Sequence, residues 1–239
     1  MQNLRETDGT HTHRRAIRFH MAKCRTGGTP LHTQLRTEAM AIYDDLKTKE
    51  RAHEDAEDDL VDATAEVDTT EIALENAIRD LDNDLQRFDR DNPGKNTRLA
   101  VFPDGFSAVI EPEGDKQLGA LPVLHAKLQP FQNEPWLSAS LAKLAGAEAA
   151  FKTALAAQDT ASDAVETAFT MEMTARAAVR AQLTSAHGRL RDLYKSRPAQ
   201  AEAFFMKLGR KEGKVKTKPK SDETAGAPPP AGGDPPPVT

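Results

Sequence analysis

Two long stretches with apolar residues recurring every seven positions, roughly Leu31 to Phe88 and Leu137 to Leu193, constrain this chain more than any other feature. In the first, Ala39, Leu46, His53, Leu60, Val67, Leu74, Leu81 and Phe88 occupy one position of the repeat, with Leu35, Ile42, Lys49, Ala56, Ala63, Thr70 and Ala77 at the other. In the second, Leu141, Glu148, Leu155, Ser162, Phe169, Arg176, Leu183 and Leu190 alternate with Leu137, Leu144, Phe151, Gln158, Val165, Glu172, Val179, Ala186 and Leu193. No proline interrupts either stretch. At about 1.5 Å per residue, each predicts a helix on the order of 90 Å long.

The exceptions to the pattern also match. If the chain folds back so that Leu60 faces Val165, then Leu74 meets Phe151, Leu81 meets Leu144, and Phe88 meets Leu137. The same register brings Lys49 and His53 beside Glu172 and Arg176. These polar residues then meet each other instead of interrupting an apolar layer, although Glu148 faces Ala77 and Asp84 faces Leu141. A slip of one heptad would strand each against aliphatic side chains, at roughly 1–3 kcal/mol per unpaired group. Lys49, His53, Glu172 and Arg176 therefore read as a register-setting polar layer.

The expected fold is mainly α: a long antiparallel two-helix coiled-coil hairpin with a small β-hairpin insertion at its tip and disordered termini. Residues 1–30 read as a flexible basic arm with room for a turn of helix around Arg14 to Lys23, 31–91 as the acidic first helix and 92–132 as the tip insertion. Residues 133–197 read as the Ala-rich second helix, 198–209 as a short amphipathic helix and 210–239 as a disordered basic, then Pro/Gly-rich tail. Asn92-Pro93-Gly94 stops the first helix, because proline cannot continue it and glycine tolerates a left-handed helix end. Leu99–Phe102 and Phe106–Ile110, separated by Pro103-Asp104-Gly105, carry a β-hairpin signal. Leu118–Leu128 fits either a strand or a short helix.

Charge is segregated far more than the net value of −5 suggests. From Asp44 to Asp91 there are 18 acidic and 6 basic residues, whereas from Thr174 to Lys220 there are 13 basic and 3 acidic. The first 37 residues add 7 basic against 2 acidic. A hairpin would gather the two basic segments at one end, so Arg14, Arg15, Arg18, Lys211, Lys214, Lys216, Lys218 and Lys220 are candidate phosphate contacts. The acidic shaft and the lack of stacking aromatics in the basic runs weigh against nucleic acid as the leading partner.

The second stretch also carries Ala147, Ala150, Ala154, Ala157, Ala161, Ala164 and Ala168 at three- and four-residue steps. Such a strip of small residues lets another helix approach closely and marks a candidate self-association surface, although alanine is also simply the best helix former. No catalytic constellation is visible: the chain lacks a glycine-rich phosphate loop, a nucleophile elbow and an HExxH pair. His11, His13, His20 and Cys24 match no zinc spacing, and the single cysteine rules out an internal disulfide. No cofactor or metal is expected.

With a mean hydropathy of −0.62, no apolar leader and no apolar run of membrane-spanning length, the chain reads as cytoplasmic. The expected function is that of a non-enzymatic structural or scaffold protein that binds itself or another helical protein, with nucleic-acid association as the alternative.

Overall fold

The structure, a computed structural model, describes residues 4–208. Among them run seven helices: α1 (Thr10–Arg25), α2 (Pro30–Asp91), α3 (Thr97–Val101), α4 (Ser107–Ile110), α5 (Asp115–Leu128), α6 (Ser138–Leu193) and α7 (Pro198–Glu202). A 3-10 turn at Gln129–Phe131 follows α5, and there is no strand among the described residues.

α2 begins with Pro30 in its first turn, where the missing N–H costs nothing, and with Thr29 and His32 exchanging capping bonds. Along its length it faces α6 in the opposite sense. His32 meets Tyr194, Glu38 meets Arg189, His53 meets Glu172, Thr64 meets Gln158, Asp84 meets Ser140 and Phe88 stacks on Trp136. These pairs lie within a few residues of the facing scheme built on Leu60 and Val165.

Buried side chains gather in two places, with a bare interval between them. One core, the tip, joins Val67, Leu74, Ala77, Ile78, Leu81 and Leu85 of α2 to Leu144, Phe151 and Ala154 of α6, and to Val101, Phe102, Leu121, Leu124 and Leu128 from the connection. The other, the base, joins Ala16, Ile17 and Cys24 to Leu35, Ala39 and Leu46, to Val179, Leu183, Ala186 and Leu190, and to Ala201, Phe204 and Phe205. Between them, α2 buries nothing from Lys47 to Glu66 and α6 buries nothing from Leu155 to Met171. This interval, the waist, is a helix pair that α1 touches at its edge through Arg14 and Glu50, about 30 Å long at 1.5 Å per residue.

Two sequence expectations are corrected. The β hairpin at the tip is absent. Pro103-Asp104-Gly105 does make its turn, with Gly105 at φ 84° and its N–H donating to the Phe102 carbonyl. The flanking residues, however, close helical turns as α3 and α4. For α3 the cause is Asp89, whose two carboxylate oxygens accept the backbone N–H groups of Thr97 and Arg98 at 2.7 and 2.8 Å. A capped helical start is thereby favoured over an extended one, and Val101 and Phe102 pack against α5 without needing a partner strand.

The second correction is the N-terminal arm, which is not a flexible segment over Thr10–Arg25. It forms α1, which packs on α2 and α6. Its inward stripe is Thr10, His13, Ala16, Ile17, His20 and Cys24, at helical three- and four-residue steps. Only two of those six are aliphatic, so the stripe is masked in a hydropathy reading. The expected amphipathic helix at 198–209 shortens to α7, and Phe204 and Phe205 beyond it pack into the base. The tail from 210 to 239 lies outside the described residues.

Candidate functional site

Glu172 stands at the border between base and waist and is the hub of the polar layer. It is only 3% exposed. His53 Nδ1 lies 2.8 Å from its Oε2, Arg176 Nη2 donates to its Oε1 at 2.6 Å, and the Thr10 hydroxyl donates to the same oxygen. Burial pushes the Glu172 carboxyl upward, but the bonds from Thr10 and Arg176, with the nearby charge of Arg176, outweigh it and hold the group below its ordinary range. The layer thus brings together His53, Glu172 and Arg176 as the register required. Lys49 stays outside it, its Nζ 4.0 Å from Met171 Sδ. Thr10, absent from the sequence-derived layer, takes part because α1 is docked there.

α1 is held by two further polar contacts. Arg14 Nη1 donates to Glu50 Oε2 at 2.6 Å, so this candidate phosphate contact is already engaged within the fold. His13 Nδ1 lies 3.1 Å from the Gly9 carbonyl and its Nε2 lies 3.3 Å from Arg180 Nη1, an arrangement that assigns it a neutral ring. Arg15 and Arg18 are exposed, and Lys211, Lys214, Lys216, Lys218 and Lys220 lie outside the described residues.

The base contains a second set of buried imidazoles. His20 Nδ1 is 3.3 Å from the Phe204 carbonyl, while its Nε2 faces Cys24 Sγ at 3.5 Å. His32 stacks on Phe204 and reaches the Tyr194 hydroxyl at 3.1 Å. Burial lowers the pKa of His13, His20 and His32 alike and pushes the Cys24 thiol up to about 11. A neutral thiol beside a neutral ring is packing, not an activated nucleophile. No group of three His, Cys, Asp or Glu side chains among the described residues is arranged to hold a metal ion.

The tip is closed by its own residues. Phe88 and Trp136 stack at 4.1 Å, Arg98 Nε donates to the buried Asp82 at 2.7 Å, and His125 Nε2 lies 2.6 Å from Glu148. A shallow pocket of about 250 Å³ there is lined chiefly by apolar side chains such as Phe102, Val109, Val123 and Leu124. It carries no set of convergent polar groups suited to chemistry.

The waist differs from both ends. An open groove of about 460 Å³ runs between α2 and α6, formed by Thr48, Lys49, Ala52 and Ala56 on one side and by Thr160, Asp163, Ala164, Thr167, Ala168 and Met171 on the other. Of the alanine strip read from the sequence, Ala154 is buried in the tip core and Ala147 packs against it, Ala161 is half-buried, and Ala150 and Ala157 are exposed. Only Ala164 and Ala168 line the groove. Ala52 and Ala56 were missed, and their four-residue spacing across from the α6 strip was the available signal. Phe169 and Met171, 45% and 48% exposed, stand nearby.

No family model, curated protein or solved structure matches the chain. No helix among the described residues is long and apolar enough to cross a membrane.

Proposed function

We propose that the protein is a non-enzymatic scaffold: an antiparallel coiled-coil hairpin that works by protein–protein contact, with the waist as its working surface and another helix, from a second copy or a different protein, as its partner. One observation carries this reading. Both ends of the helix pair have a third layer packed over them, and the waist between them, touched by α1 at the Arg14–Glu50 pair on its edge, buries no side chain. A long helix pair usually gains much of its stability from an apolar face packed on something else. The small residues of the groove suit close approach by a helix better than entry of a substrate.

Ala164→Glu with Ala168→Glu places two charges in the groove at positions that are not buried. Sedimentation equilibrium of this variant and the parent, with a photo-cross-linker placed at Ala157 in parallel, tests the reading. Loss of a self-associated or cross-linked species with the helical spectrum retained is the expected result, and unchanged mass and cross-links would remove the waist as the contact.

A second reading has a specific observation behind it: Arg15, Arg18 and Arg25 share one exposed side of α1 at helical spacing. That side suits a polyanion held through counterion release. Binding of duplex DNA across a salt titration decides it, since absence of affinity at low salt eliminates nucleic acid.

A further inference from the structure

We infer that the occupant of the waist groove is a basic helix, with lysine or arginine flanking a narrow strip of small apolar residues, and not a second copy of this chain. The inference rests on the scaffold reading above and adds the chemistry of the partner.

Charge decides between the two occupants. From Lys47 to Glu66, α2 carries eight acidic residues and three basic; from Leu155 to Met171, α6 carries three acidic residues and none basic. The waist therefore has a net charge of −8. Helices packed on one another have axes about 8–10 Å apart, and the screening length at physiological ionic strength is also about 8 Å. Two waists in contact would repel, and a basic helix would be attracted over the same gap, both effects being reduced but not abolished by salt at that distance.

The groove's shape agrees. Ala52, Ala56, Ala164 and Ala168 have no side chain beyond Cβ, so a helix with small residues on its facing side can approach closely, and the two charged lining residues, Lys49 and Asp163, offset each other. Met171 adds a flexible apolar contact at the edge. The docked α1 leaves the groove open, since its polar contacts go to Glu50, Glu172 and Arg180 and none of these lines it. A waist of about 30 Å accommodates a helix of roughly 20 residues.

The test uses the full chain and two fluorescent, alanine-based helical peptides of about 20 residues, one with lysines beside its alanine strip and one with glutamates at the same positions. Anisotropy titrations are run at low and physiological salt. A groove-filling variant, Ala164→Phe with Ala168→Phe, leaves the charge unchanged, and circular dichroism confirms its helicity. The lysine peptide is expected to bind, to weaken as salt rises, and to lose at least about tenfold in affinity on the variant, while the glutamate peptide does not bind.

Equal binding of the lysine peptide to parent and variant would make the interaction mere adhesion to an acidic shaft and overturn the inference. Equal binding of both peptides would overturn the charge selection while leaving the scaffold reading intact. Binding of neither peptide by a protein that sediments as a dimer, and as a monomer in the variant, would assign the groove to a second copy. Binding of neither by a protein that sediments as a monomer would remove the inference and the waist together.

Discussion

The two ends of the helix pair are closed by different chemistry. The tip is sealed by aliphatic and aromatic side chains, with Phe151, Leu121 and Leu124 packed between α2, α5 and α6. The base is sealed by α1 and the residues after α7, which contribute His13, His20, Cys24, Phe204 and Phe205, and α1 is fastened through Thr10, Arg14 and His13. An aliphatic seal responds to cavities, and the carboxylates beside it at the tip respond only to stronger acid. A seal of neutral imidazoles and ion pairs is conditional on pH, because those polar groups stay buried only while each keeps its partner and its protonation state.

The sharpest way to break the comparison is to damage one end and read the other. Phe151→Ala empties the tip core and is expected to cost about 3–5 kcal/mol in chemical denaturation. The rate at which a thiol reagent reaches buried Cys24 in the base should be unchanged at low denaturant. Acceleration comparable to that of a base mutant would mean that the ends unfold together.

Glu172→Ala is the complementary lesion, leaving Arg176 and Thr10 facing an empty place, at about 3 kcal/mol. Here Cys24 should react faster, because α1 loses the anchor at its N-terminus.

Acid separates the ends more gently. The folded-state pKa values of His13, His20 and His32 lie below the ordinary value of 6.5, so the unfolded state binds protons first as pH falls. Their contribution is complete above 6.5 and is lost as pH drops through the lowered folded values. At the tip, Glu148 and Asp89 are held below their ordinary values of 4.5 and 3.8, so their contribution is lost only in stronger acid. Hydrogen exchange at pH 5.5 should therefore show protection falling in α1 while α5 is unaffected; equal loss in both would contradict the division.

The smallest effect runs in the opposite direction. Gln117 is fully buried at the tip and neither of its amide atoms has a hydrogen-bond partner. Gln117→Met should stabilise the tip by about 1 kcal/mol, read as a rise in its denaturation midpoint.

What was legible in the sequence follows the same division. The seven-residue repeats located α2 and α6 within a few residues, and their polar exceptions located the meeting of His53 with Glu172 and Arg176. Side chains of strong hydropathy at a fixed period are hard to misread. α1 was read as an arm because its buried stripe is mostly threonine, histidine and cysteine, and such residues count as solvated until their partners are known. The tip misled for another reason. A Pro-Asp-Gly turn between apolar runs serves a strand pair or two helical turns equally well, and for α3 the choice is made by Asp89, eight positions before Thr97. Pro122 inside α5 likewise obscured a helix whose buried residues are Gln117, Leu121, Leu124 and Leu128. Of the groove, only the α6 wall was visible, because the α2 alanines are diluted among carboxylates.

The arrangement of the two cores along the chain also sets an order of assembly. All the residues of the tip core lie between Val67 and Ala154. The base core needs Ala16 to Leu46 together with Val179 to Phe205, so it closes a loop that encloses the whole tip. Closing the shorter loop first makes the second closure cheaper, since the tip already holds α2 against α6. On a ribosome the tip can form once residues up to Ala154 have emerged, while α1, made before α2, can complete its packing only when α6 has followed. α1 is thus synthesised before the elements it packs on and completes its packing after the tip has closed.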